Sequence, residues 1–158
     1  MKKIITNFKQ VPKFLQWIIL ISLILFILSL TQPAFFIDQK DDPNAYSNSL
    51  LLFLTGWMSF LGGAFIPFVI WLANPLYFTS IYLTTKNKSA GLYLSCSATF
   101  LAIIFSQLNV IMTSESGSTS EITSKGLGFK LWLTSFVFLA LGTFISHILT
   151  KRKDKVKA

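Results

Sequence analysis

Four stretches without a charged residue, at 14–30, 50–83, 90–112 and 131–149, limit what this chain can fold into. Each is long enough to cross about 30 Å of hydrocarbon as a helix. The charges between them are sorted by side. The segments before the first stretch, between the second and third, and after the fourth carry Lys2, Lys3, Lys9, Lys13, Lys86, Lys88, Lys151, Arg152, Lys153, Lys155 and Lys157. The two other connections hold only Lys40, Lys125 and Lys130, with Asp38, Asp41, Asp42, Glu115 and Glu121. Lys and Arg collect in cytoplasmic loops, so this pattern predicts both termini inside.

Composition agrees with a membrane setting. Apolar residues make up 53% of the chain and charged residues 13%, too few charges for an ordinary soluble surface. The net charge of +8 does not point to nucleic acid, because the cations flank apolar spans and so suit anionic lipid headgroups. The one cysteine, Cys96, lies within an apolar span, which excludes an internal disulfide and gives no zinc cluster. Residues 14–30 are longer than the usual apolar core of a signal peptide. The Gln32-Pro33-Ala34 that follows is not a small-x-small cleavage site, so the segment reads as a retained anchor.

The stretch 50–83 needs dividing. As one helix its 34 residues would run about 51 Å, too long for a simple crossing. Gly62-Gly63 is the expected break, since paired glycines disfavour a helix interior. The reading is therefore an all-α polytopic membrane protein, a single domain over 1–158 with short basic cytoplasmic tails at 1–13 and 151–158. Its crossings fall at about 14–30, 64–84, 90–112 and 131–150, with an interfacial or re-entrant helix at about 47–61. The alternative is one tilted helix from Leu50, kinked at Pro67 or Pro75. Asp42-Pro43-Asn44 reads as a turn, and 113–128, rich in Ser, Thr and Gly, reads as a flexible or exposed loop.

Candidate functional residues are few. No Asp, Glu, Lys or Arg lies mid-crossing, which argues against a proton-coupled pump. No metalloprotease, P-loop or nucleophile-elbow pattern occurs, and neither a catalytic residue nor a cofactor is expected. His147 reads as an interfacial polar side chain and Cys96 as a packing residue. On the third crossing Gly91, Ser95, Thr99, Ala102, Ser106 and Asn109 share one helix face, read as a packing seam or a polar groove for a ligand. Gly142, Ser146 and Thr150 form a small-residue row proposed as its partner face. Pro75 removes a backbone donor inside the second crossing, and Asn74 or a nearby hydroxyl is expected to serve the freed carbonyl. Trp57, Phe60, Phe35, Phe36 and Tyr46 are read as an outer aromatic belt or partner surface.

The run Gly56-Trp57-Met58-Ser59-Phe60-Leu61, then Trp71-Leu72-Ala73-Asn74-Pro75-Leu76, resembles the pattern of a family of small uncharacterised bacterial membrane proteins. Gly126-Leu127-Gly128 and Leu131-Trp132-Leu133-Thr134-Ser135 are similar to that family's entry into its last crossing. Met58-Ser59 departs from the commoner Leu-Gly, and residues 67–70 diverge. The resemblance implies a four-helix bacterial inner-membrane protein and assigns no activity. The function expected is that of an accessory or interaction protein, including a toxin-immunity or exclusion role, with a protein partner or self-association in the bilayer. An oligomeric small channel or transporter is the alternative, and a lipid-acting membrane enzyme built on His147 the second.

Overall fold

The computed structural model describes residues 11–38, 45–86, 88–112 and 119–157, with side chains as far as Lys151. Helix α1 spans Lys13–Leu30 and is followed by strands β1, Pro33–Ile37, and β2, Tyr46–Asn48. Helix α2, Ser49–Thr55, runs into a 3-10 turn, Gly56–Phe60. Helices α3, Phe65–Trp71, and α4, Ala73–Thr85, come next, then α5, Ala90–Ser106. Strands β3, Val110–Met112, and β4, Thr119–Lys125, lead into the last helix, α6, Leu127–Lys157.

The chain is mostly helical. Among the described residues, three stretches, Lys13–Leu30, Phe65–Thr85 and Leu127–Lys151, are long and apolar enough to cross a membrane. Helix α5 is apolar but shorter, at 17 residues. The polarity of the helices is inverted relative to a soluble bundle. Ser22, Ser80, Ser95, Ser135 and Thr143 are buried, while Trp17, Ile24, Ile27, Phe100, Phe144 and Ile145 are exposed. Short hydroxyl side chains return their protons to carbonyls a turn back, as Ser80 does to Tyr77, so they can sit inside without unpaired groups.

The sheet corrects the all-α expectation. Four antiparallel strands lie in the order β2-β1-β4-β3. The central pair, β1 and β4, joins the connection after α1 to the connection before α6. The reason is visible in the residues. Pro33 stops α1 and opens a strand where its missing N–H is tolerated. Ala34, Phe35 and Ile37 of β1 are buried, with Phe36 between them only partly covered. Ile122 and Ser120 lie on the more buried face of β4. Register slips at Pro33/Phe35 and at Phe36/Ile37 bend the strands over the helix ends.

Several boundaries move. The third crossing was expected to continue to 112, but α5 stops at Ser106 and Val110–Met112 is a strand. The loop expected over 113–128 contains β4 and the first residues of α6, and α6 begins at Leu127 rather than 131 and continues through the expected tail to Lys157. The outer helix expected at 47–61 is α2 with its 3-10 turn. The break at Gly62-Gly63 is a turn, where Gly63 takes φ +75°. The second crossing is divided again at Leu72, between α3 and α4, and not at Pro75. The Asp42-Pro43-Asn44 turn, Lys40, Asp41, Glu115 and residues 1–10 lie outside the described residues.

Two cores result. The larger joins Leu15, Ile19 and Phe26 of α1 with Tyr77 of α4, Ala98 and Ala102 of α5, and Phe136 and Leu139 of α6. Phe26, Tyr77 and Phe136 stack, with Tyr77 and Phe136 centroids 4.6 Å apart at 15°. The smaller core lies at the sheet end, where Phe35 and Ile37 meet Ile70, Phe105 and Phe129.

Candidate functional site

The sheet, the ends of α5 and α6, and the hairpin made by α2, the 3-10 turn and α3 enclose a half-open cavity of about 500 Å³. Its position follows from a chain of hydrogen bonds among three side chains of the sequence motifs. Trp71 Nε1 donates to the Phe53 carbonyl at 2.8 Å, which ties α3 back onto α2. Asn74 Nδ2 donates to the Trp71 carbonyl at 3.0 Å. Trp132 Nε1 of α6 donates to Asn74 Oδ1 at 2.9 Å. The Trp71 carbonyl is the one that residue 75 would normally serve in an α-helix, and residue 75 is proline. The Asn74 amide thus replaces the proline's missing donor, and its oxygen holds the last helix.

Glycines set the spacing of the walls. A Cβ on Gly56 would run into the Trp71 indole, so the 3-10 turn and α3 approach as closely as they do only with glycine there. At Gly128 a Cβ would meet Ser49 Oγ and the Gln32 and Pro33 carbonyls, which places the start of α6 directly under β1. Ser49 Oγ donates to the Gln32 carbonyl at 2.6 Å across the same junction.

The lining is almost wholly carbon. Phe35, Phe105, Phe129 and Trp132 form the deep part, and Ile70 and Trp71 the hairpin side. Most of its polar groups are already committed. Ser29 Oγ donates to the Phe26 carbonyl, Ser49 Oγ to Gln32, and both ends of the Asn74 amide are used. Beside it, Lys125 Nζ donates to the Leu108 carbonyl at 2.5 Å and stands 4.5 Å over the Phe105 ring. Partial burial there holds the ammonium below its ordinary value.

The residues singled out in the sequence separate into different places. Asn74 and Pro75 are at the cavity and beside it; Asn74 is buried and Pro75 exposed. Ser95 faces α6, 2.9 Å from Thr143 Oγ1. Thr99 Oγ1 donates to the Ser95 carbonyl and Ser106 Oγ to the Ile103 carbonyl. Asn109 is past the end of α5, its side chain exposed and its carbonyl accepting from Ile122 N at 2.7 Å in the sheet. The expected partner row on the last helix is displaced by one residue: Gly142 packs on Ile18 of α1, and Thr143 meets the seam. Of the outer aromatics, Trp57, Phe60 and Tyr46 are exposed, Phe36 is half-buried, and Phe35 is 3% exposed in the smaller core. Phe35 is therefore a packing residue and not part of an outer surface. Sequence reasoning missed Trp71 and Trp132 as donors and Lys125 as a partly buried cation. The spacing of Trp71 to the Asn74-Pro75 pair was the available signal for the first.

No family profile, curated protein or solved structure matches the chain. Among the described residues, no group of three His, Cys, Asp or Glu could hold a metal ion.

Proposed function

We propose that the chain is a membrane protein of four crossings that works by non-covalent interaction, with the sheet as its working end. The observation that supports this most directly is the pairing of β1 with β4, Phe35 opposite Lys125 and Phe36 opposite Ser124. Connections between spans carry function when a rigid scaffold positions them. Here two connections are bound to each other and to the helix ends, giving a platform whose outer strands, among the described residues, are β2 and β3. Tyr46 at the β2 edge is exposed and available to a protein partner.

Connectivity supports the reading of four crossings. Helices α1 and α5 both end at the sheet and α6 begins there, so α5 must run back from the far end reached by α4. Its 17 residues span about 26 Å, close to a hydrocarbon core. The cations at Lys13, Lys86, Lys88 and Lys151 support a cytoplasmic far end under the positive-inside rule, and with it a sheet on the outer side.

A two-part experiment tests the reading. In a Cys96→Ser background, Thr123→Cys should react with a membrane-impermeant maleimide on intact cells, and Lys88→Cys only after permeabilisation. The reverse pattern overturns the orientation. A photo-crosslinking amino acid at Tyr46 should capture a discrete protein adduct. If the only adducts are lipid, the sheet is not the interaction face.

A further inference from the structure

We propose that the cavity between the sheet and the Ser49–Trp71 hairpin holds one acyl chain of a bilayer phospholipid. The inference goes beyond the interaction reading and rests on its membrane placement alone. At about 500 Å³ the cavity is within the usual range of ligand sites, roughly 300–1,000 Å³. Its chemistry is one-sided: the aromatic floor of Phe105, Phe129 and Trp132 offers rings, and the Trp132 N–H is already spent on Asn74. An apolar cavity of this kind gains little from water. Left empty, its walls would forfeit dispersion contacts.

The mouth says where the occupant comes from. Phe65, Ile66 and Val110 line the cavity and are 61%, 59% and 49% exposed. They join it to the outer face of the hairpin, where Leu51, Leu54 and Leu61 are exposed as well. On the membrane reading that face is immersed in the outer part of the bilayer, so the cavity is a lateral pocket of the lipid-facing surface. A polypeptide is a poor occupant. Its backbone N–H and C=O groups would need partners, and Ser29, Ser49 and Asn74 of the wall are bonded within the chain. A methylene chain brings no such groups, and the bilayer supplies it directly at the mouth.

The test uses the full chain reconstituted in phosphatidylethanolamine and phosphatidylglycerol vesicles. A trace phospholipid carries a diazirine near the end of one acyl chain. After irradiation, adducts are mapped by peptide mass spectrometry. Adducts are expected on Ile70, Phe105 or Phe129, which are 8%, 8% and 6% exposed and shielded from bulk lipid. Two filling variants on opposite walls, Ser59→Trp and Val110→Trp, should each lower those adducts by about tenfold. Adducts on the exposed Phe144 and Ile145 of α6 should stay unchanged and serve as the folding control. Labelling confined to Phe144 and Ile145 in the wild type overturns the proposal. So does interior labelling that both filling variants leave intact. Interior labelling by a free fatty-acid diazirine but not by the phospholipid overturns the choice of occupant. None of these outcomes touches the Tyr46 crosslink, which judges the interaction reading separately.

Discussion

Trp132 on the last helix donates its indole N–H to Asn74 Oδ1 at 2.9 Å, while the same amide's nitrogen serves the Trp71 carbonyl left open by Pro75. One side chain therefore repairs a helix and fastens it to another. Asn74→Leu should orphan the Trp132 donor and the Trp71 carbonyl together, at a cost of about 1–3 kcal/mol for buried unpaired groups. The loss is read by unfolding in mixed micelles. A double-mutant cycle with Trp132→Phe should give a coupling of about 0.6–1.7 kcal/mol, as for hydrogen bonds between membrane helices. Strict additivity would mean that the contact does not hold the two helices together.

Gly56 and Gly63 are needed for different reasons, and substitutions should separate them. Gly56→Ala drives a Cβ into the Trp71 indole, an overpacking cost of about 1–3 kcal/mol. Gly63 has open space around it and instead adopts φ +75°, so Gly63→Ala pays about 1–2 kcal/mol of backbone strain. Asparagine tolerates that region better than alanine does. Gly63→Asn should therefore recover stability relative to Gly63→Ala, whereas Gly56→Asn should be worse than Gly56→Ala. Thermal unfolding of the four variants in one detergent checks the pattern.

The buried trio Ser22, Tyr77 and Ser135 makes an ordering prediction. Ser22 Oγ donates to the Ser135 carbonyl at 2.8 Å, so the 2.7 Å contact with Tyr77 must have the phenol as donor. Tyr77→Phe removes one hydrogen bond and leaves Ser22 still paired. Ser22→Ala removes both and leaves the Tyr77 hydroxyl with only the Ser135 side chain as a partner. Ser22→Ala should therefore cost more than Tyr77→Phe, by about 1 kcal/mol. The opposite order would show that the phenol finds another partner.

The long helices were readable in the sequence because charge-free runs and basic flanks are local signals. Residues 14–30 and 131–150 fall almost on α1 and within α6. The turn at Gly62-Gly63 was readable for the same reason, since glycine acts on its own backbone. The sheet was not. Phe35 opposite Lys125 is a pairing across ninety residues, and neither strand exceeds seven residues or alternates cleanly enough to stand out. The end of α5 was misplaced because Asn109, Val110 and Ile111 extend its charge-free run while their backbone turns to join β4. Helix periodicity also could not decide that Thr143 rather than Gly142 meets Ser95. Neighbours on a helix differ by about 100°. Only the packing angle of α6 against α1 settles which of them turns inward.

Lys125 supplies a pH dependence. Partial burial beside Leu108 and Phe105 lowers its folded-state value from the ordinary 10.5. Well below the folded-state value both states are charged and the contribution is flat. Between the two values the unfolded chain binds more protons, so stability rises with pH through that alkaline window. The difference in stability between wild type and Lys125→Met isolates this group from every other titration. That difference should move in favour of wild type as pH climbs towards 10.5, and be constant near neutrality. A flat difference through the alkaline range would place the ammonium in water.

The pairing of β1 with β4 is the link on which the interaction reading depends, and a crosslink can measure it. Phe36 and Ser124 are opposite each other in antiparallel strands. Opposed Cα atoms in such a pair are about 4.5–5.5 Å apart, which suits a disulfide. In a Cys96→Ser background, Phe36→Cys with Ser124→Cys should oxidise to a single intramolecular bridge, found as one linked peptide. Phe36→Cys with Glu121→Cys should not, because Glu121 lies opposite Val110 of β3 on the far side of the register slip. If the sheet is the working end because it is rigid, the bridge locks a shape already present. Capture of the partner by a crosslinker at Tyr46 should then survive oxidation undiminished. Loss of capture on oxidation would instead mean that the two connections must separate for the partner to bind.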